Sequence, residues 1–194
     1  MELNIILAGV GGQGILSIAA VIGQAALMNK LSIKQSEVHG MSQRGGAVMS
    51  HLRISSDPIS SDLIPHGKAN MIISLEPMES LRYLDYLAPD GWVITNTKSF
   101  ENIDNYPELD KIIQCIRSLP NRIFVDADQI AHELGSAKAS NMVMLGAASP
   151  YLNISVEYMY EAIKNIFRTK GQPIVEMNLN AMKAGLNYCN NFSN

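Results

Sequence analysis

Leu3-Asn4-Ile5-Ile6-Leu7-Ala8-Gly9-Val10-Gly11-Gly12-Gln13-Gly14-Ile15-Leu16 decides the fold. Leu3 to Ala8 carries no charge and reads as a buried strand. Four of the next six residues are glycine. Beyond them Ile15, Ile18, Ala19, Ile22 and Ala26 recur at helical spacing, which predicts a helix over Ile15 to Met28 with outer limits at Gln13 and Asn29. Strand, glycine turn and helix in that order open a Rossmann-like sheet. Gly9, Gly11 and Gly14 fit the G-x-G-x-x-G spacing: the turn is tight and the helix must lie close on the strand. The turn also sets bare N–H groups at the positive end of a helix, which suits an anion. Packing alone demands the same glycines, so the motif is not specific for a dinucleotide.

The turn predicts a strand at Ser32–Val38, followed by the most unusual segment of the chain, Glu37-Val38-His39-Gly40-Met41-Ser42-Gln43-Arg44-Gly45-Gly46. It has no hydrophobic period and gathers an acid, an imidazole, a hydroxyl, an amide and a guanidinium. Arg44 between glycine-rich turns can face an anion with a planar fork of donors, or sit in an ordinary salt bridge, for instance with Glu37. Glu37 is the candidate for the ribose-binding acid of a dinucleotide site. It lies 28 residues after Gly9, where about 20 is expected, and a glycine-rich loop follows it. Both points argue against NAD. Strands one and two of such a sheet usually lie side by side, which would put the two glycine loops on one edge.

Ala47–Ile54 alternates, with Val48, Leu52 and Ile54 on one face and His51 and Arg53 on the other, and reads as a half-buried strand. Because it follows the second strand without a helix, the sheet should be mixed although mostly parallel. Later strands are expected at Ala69–Leu75, Trp92–Asn96 and Arg122–Val125, with Pro89-Asp90-Gly91 as a turn before the second of these. Helices are expected from Pro77, over Pro107–Ser118 and Asp128–Leu134, from Ser155 as N-cap, and from Pro173 onward. In the last, Asn178, Ala181 and Gly185 form a small-residue face that another helix could approach, and residues 190–194 should fray. The architecture is therefore an α/β, Rossmann-like three-layer sandwich with helices on both faces, and 1–194 is a single domain.

Composition narrows the function. The 194 residues carry a net charge of −3, which is no nucleic-acid footprint. Charged residues make up 17%, below the usual value of about 25%. With eleven methionines, this suggests either a partner interface or a well-filled core. Leu3 to Asn29 lacks charge, but its glycines and polar amides break the run, so no membrane or signal segment is expected. Cys115 and Cys189 are far apart and no C-x-x-C occurs, which argues against a cluster or structural zinc held by these thiols and suits a cytoplasmic setting.

The chain resembles the gamma-type subunit or domain of the 2-oxoacid:ferredoxin oxidoreductases, and within them the small (beta) subunit of the indolepyruvate enzymes. Gly9–Leu16 and Ser36-Glu37-Val38-His39-Gly40-Met41-Ser42-Gln43-Arg44-Gly45-Gly46 carry the likeness, which runs nearly end to end. Asp90-Gly91, Asn141 to Gly146, and Asn178, Ala181 and Gly185 fit later blocks. The resemblance implies oxidative decarboxylation of indolepyruvate with coenzyme A, ferredoxin being reduced. It implies that thiamine diphosphate and the iron–sulfur clusters belong to a large (alpha) subunit. This chain would then complete the assembly without binding a cofactor alone. The loops expected to face coenzyme A or the partner contain Gly9, Gly11, Gly12, Gln13 and Gly14, and Ser42, Gln43, Arg44, Gly45 and Gly46. No residue reads as a catalytic acid, base or nucleophile; His39 comes nearest and reads better as structural. An NAD(P)-binding protein and a ligand-free structural partner are the two other readings.

Overall fold

The computed structural model describes residues 1–40, 45–101 and 103–192. Ser42, Gln43 and Arg44 thus lie outside the described residues, as do Ser193 and Asn194. Six strands form one sheet: β1 (Glu2–Val10), β2 (Ser32–His39), β3 (Ala47–Ser55), β4 (Ala69–Ser74), β5 (Leu87–Asn96) and β6 (Arg122–Val125), in the order β2-β3-β1-β4-β5-β6. The pairs β1/β4, β4/β5 and β5/β6 are parallel; β1/β3 and β2/β3 are antiparallel. The mixed, mainly parallel sheet agrees with the sequence reading.

One part of that reading is overturned. β1 and β2 are not neighbours, because β3 folds straight back from β2 and takes the place beside β1. An interior position explains a second difference. β3 is buried on both faces toward its end, with Leu52, Ile54 and His51 each 3% exposed or less. The loop after it covers the second face, where the Ile64 N–H donates to His51 Nδ1 at 3.2 Å. A strand inside a sheet, roofed on both sides, does not show simple alternation.

Seven helices cover the sheet among the described residues. α1 (Ile15–Met28), α4 (Ala127–Glu133), α5 (Ser140–Ala148), α6 (Val156–Phe167) and α7 (Gln172–Phe192) pack on one face with Ile5, Leu7 and Ile73. α2 (Pro77–Arg82) and α3 (Leu109–Arg117) close the other over Ile6, Ile72 and Val93. α2 ends at Arg82, and Leu84–Tyr86 follows as one 3₁₀ turn. α7 is helical through residue 192.

α5 is buried almost throughout, and its close contact is with α7. A Cβ added to Gly185 would lie 1.9 Å from the Val143 carbonyl oxygen, and one on Gly146 would lie 2.0 Å from that of Met182. The small-residue face of α7 therefore serves packing inside this chain. Met71, Met142, Met144, Met159 and Met182 are buried as well, so these methionines fill the core. Pro89-Asp90-Gly91 is not a free turn but an insertion within β5: Ala69 pairs with Leu87 and Met71 with Trp92. Among the described residues no helix is long and apolar enough to cross a membrane.

Candidate functional site

The parallel strands all end on one edge, where open α/β sheets carry their sites. Gly9 to Gly14 leaves β1 there, Gly45 and Gly46 lead into β3, and Leu75, Glu76 and Asn96 follow β4 and β5. The two glycine loops meet although their strands are not neighbours. β3 runs antiparallel to β1, so its first residues lie beside the last of β1, and the Gly11 N–H donates to the Gly46 carbonyl at 2.8 Å.

Each glycine has its own work. Gly14, at φ +86, is the N-cap of α1 in the left-handed region, which an L side chain adopts at a cost. The Asn141 side-chain amide reaches its carbonyl at 3.2 Å, and a Cβ there would lie 2.4 Å from Asn141 Nδ2. Gly9 makes room for Gln13 and Ile15. Gly12 (φ +103) and Gly45 (φ +77) have no heavy atom within 4 Å of an added Cβ; they are outward tips. Beside Gly12 an apolar cleft of about 260 Å³ is lined by Val10, Ile15, Leu16 and Val48. Leu16 (42% exposed) and Val38 (55%) add apolar surface to this edge.

Gln13 is turned inward. Its Oε1 accepts from the Val10 N–H at 2.8 Å, and its Nε2 donates to the Leu75 carbonyl at 3.2 Å. Gln13, expected in a loop facing coenzyme A or the partner, bonds through both ends of its amide within this chain. Glu37 lies near the end of β2, with β3 between β2 and β1. That is two strand spacings from β1, or roughly 10 Å, where a dinucleotide-type site needs the adjacent strand. The side chain of His39 lies outside the described residues.

The sequence reading missed three groups. Glu76, fully buried, caps α2: its Oε2 accepts from the Glu79 N–H at 2.9 Å. Its Oε1 accepts from the Phe100 N–H at 3.4 Å and from the Tyr106 hydroxyl. One carboxylate thus bolts the segment after β5 to the end of β4. Burial and the bond to Glu76 push the Tyr106 hydroxyl well above the usual phenol range. Burial likewise raises Glu79, against the opposing effect of Arg82, whose guanidinium lies 3.0 Å away. The signal was available in Glu76-Pro77, an acid directly before a helix-opening proline. Asn96 is the second: its amide donates to Asp128 at 2.6 Å, and its Oδ1 accepts from the Ala127 N–H at 3.1 Å, tying β5 to α4. Asn141 is the third, and no local pattern marks a residue whose partner is so distant.

The chemistry of this edge is that of a shaped surface. Among its described residues, Gln13, Glu76 and Asn96 bond within the chain, and the tips are glycine and aliphatic carbon. Cys115 is exposed and Cys189 buried, both as free thiols. The described residues hold no group of three or more His, Cys, Asp or Glu able to bind a metal. They do not fit an iron–sulfur cluster, which takes four thiolates in the common types.

A family model described as pyruvate ferredoxin/flavodoxin oxidoreductase matches residues 4–188. The chain belongs to the pyruvate ferredoxin/flavodoxin oxidoreductase family. Among members of this family, the indolepyruvate oxidoreductase subunit IorB of Archaeoglobus fulgidus is 40% identical over 196 residues, spanning 96% of this chain and 95% of the relative. That of Pyrococcus horikoshii is 36% identical over 95% of both chains. The fold is shared with a keto/oxoacid ferredoxin oxidoreductase gamma subunit from Geobacter sulfurreducens (TM-score 0.70, 21% identity, 96% of this chain and 98% of that one). It is shared also with part of a 2-oxoglutarate:ferredoxin oxidoreductase from Magnetococcus marinus (TM-score 0.78, 23% identity), where this chain covers 98% of its own length and 31% of the other. The family's fold thus occurs both as a separate subunit and inside a longer chain.

Proposed function

We propose that this chain is the small subunit of a 2-oxoacid:ferredoxin oxidoreductase acting on an aryl-pyruvate, with indolepyruvate as the substrate. The observation that carries the reading is the match, at 40% identity over 96% of this chain and 95% of the relative, to a subunit named for indolepyruvate oxidation. The described residues are consistent with it: among them the glycine edge is glycine and aliphatic surface, with Gln13 bonded within the chain. In this reading a larger cytoplasmic subunit holds thiamine diphosphate and the iron–sulfur clusters. The 2-oxoacid loses carbon dioxide, its acyl group passes to the thiol of coenzyme A, and two electrons leave to ferredoxin. This chain contributes the wall of the assembly nearest its glycine edge. Arg44 and the loop N–H groups suit a phosphate of coenzyme A or a carboxylate of the partner.

The test is co-expression with the large subunit, anaerobic co-purification, and an assay of ferredoxin reduction dependent on indolepyruvate and coenzyme A. Activity should require both chains and fall with pyruvate as substrate. A complex that prefers pyruvate refutes the substrate assignment. A chain that is coloured and active alone refutes the division of labour.

A further inference from the structure

β1 and β4 part company where the connections of the sheet turn to opposite faces: α1 leaves β1 on one side and α2 leaves β4 on the other. Their parallel ladder runs to Ala8 opposite Ser74, and the Leu75 N–H donates to the Ala8 carbonyl at 3.0 Å. In a parallel ladder the next rung would join the Val10 N–H directly to the Leu75 carbonyl. Instead the Gln13 carboxamide stands between these two groups. It accepts from Val10 with its oxygen (2.8 Å) and donates to Leu75 with its nitrogen (3.2 Å). A primary amide carries both halves of a peptide group, so it can complete the rung from within the gap. The Val10 N–H is thus not left unpaired, which would be costly, and the Leu75 carbonyl, which also accepts from the Asn96 amide at 3.4 Å, keeps a donor on its ladder side. Gly9 permits the insertion, since a Cβ there would lie 2.8 Å from Gln13 Oε1.

We propose that Gln13 is a positioning residue: an inserted rung that holds the ends of β1 and β4 at a fixed separation, and thereby presets the glycine turn for docking on the larger subunit. The docking half rests on the small-subunit reading. The crevice between the ends of β1 and β4 is where sheets of this kind take nucleotides. Here the chain fills it with its own carboxamide, so the contact surface is moved outward to Gly12, Gly45 and the apolar cleft.

Two variants test this, Gln13→Ala and Gln13→Glu. The second keeps an acceptor for Val10 but sets a carboxylate against the Leu75 carbonyl. Hydrogen exchange at the Val10 amide is followed in the isolated chain, and association with the purified large subunit by a rate measurement. In Gln13→Ala, exchange at Val10 should quicken by roughly tenfold, as for loss of one net hydrogen bond, and association should slow while the global unfolding transition persists. Gln13→Glu should protect Val10 better than Ala does. Unchanged Val10 exchange in Gln13→Ala overturns the rung. Faster exchange with wild-type association overturns the positioning role. A wild-type chain that fails to bind the large subunit refutes the partner and the docking half together, while exchange in the isolated chain still judges the rung.

Discussion

Asn141 donates its side-chain amide to the carbonyl of Gly14, a residue 127 positions earlier. Through this bond α5, and the α7 helix locked to it, fixes the start of α1. Replacing Asn141 by Ala should destabilise the fold by about 1 kcal/mol, the usual net worth of a hydrogen bond. Gly14→Ala should cost more, since it adds left-handed strain of about 1–2 kcal/mol to a clash with Asn141 Nδ2. The double variant should be less unstable than the sum, because removing Asn141 removes the clash. Denaturant titration of the four proteins measures the coupling; strict additivity contradicts it.

The α5–α7 crossing makes a harsher prediction. Gly185→Ala and Gly146→Ala both drive a methyl into a backbone carbonyl at about van der Waals overlap, and backbone cannot rotate away. Each should cost about 3 kcal/mol or more, at the upper end for overpacking. Thermal unfolding of either variant reads this, and a wild-type midpoint would mean that the helices separate freely.

Acid should weaken the cover over β3. Burial lowers the His51 pKa below its ordinary value, with Asp62 pulling the other way. The neutral ring is the one favoured in the fold, where Nδ1 accepts from Ile64. Its stabilising contribution is therefore whole above the unfolded value, about 6.5, and is lost as pH falls from there through the lower folded value. Stability measured across that window should decline with acid, and His51→Asn should remove this part of the slope. The exchange rate of the Ile64 amide gives a local check.

Tyr106→Phe removes one donor from the buried carboxylate of Glu76. A hydrogen bond to a charged group is worth about 1.5–3 kcal/mol. Loss in that range, with faster exchange at the Phe100 amide, should follow; unchanged exchange would show that Glu76 does not secure the segment after β5.

Arg44→Ala should leave the fold intact: the run around it has no hydrophobic period in the sequence, and substitutions away from the core seldom exceed about 0.5 kcal/mol. In the assembled enzyme, a lost charge-assisted bond of about 1.5–3 kcal/mol should cost roughly tenfold to a hundredfold in the step that uses it. Lysine should restore only part, lacking the planar fork. Wild-type constants for coenzyme A and the oxoacid, with normal assembly, would reduce Arg44 to a connector.

What was legible in the sequence was what is local. Leu3 to Met28 states strand, turn and helix because period and glycine content act over neighbouring residues. The Asn178–Gly185 face announces a close crossing, although only the fold reveals that α5 is the helix it meets. The place of β3 was hidden, since nothing in Ala47–Ile54 says which strand it will lie beside. The internal bonds of Gln13 were not legible, because nothing local brings the end of β4 to a polar side chain in a glycine turn. Glu76 as a helix cap could have been read from Glu76-Pro77, but its bond to Phe100, 24 positions on, could not, and the partner of Asn141 is 127 positions away.

The placement of β1 bears on how the chain is made. β1 is translated before all its partners, yet it lies in the interior of the sheet, with β3 on one side and β4 on the other. Its neighbours leave the ribosome only as residues 47–55 and 69–74 appear, and the tie on Gly14 waits for residue 141. At about 5–20 residues per second, the nascent chain keeps the apolar Leu3–Val10 stretch unpaired for several seconds. The glycine edge is begun with Gly9–Gly14 and tied only when Asn141 arrives, so its final form should wait until α5 has emerged.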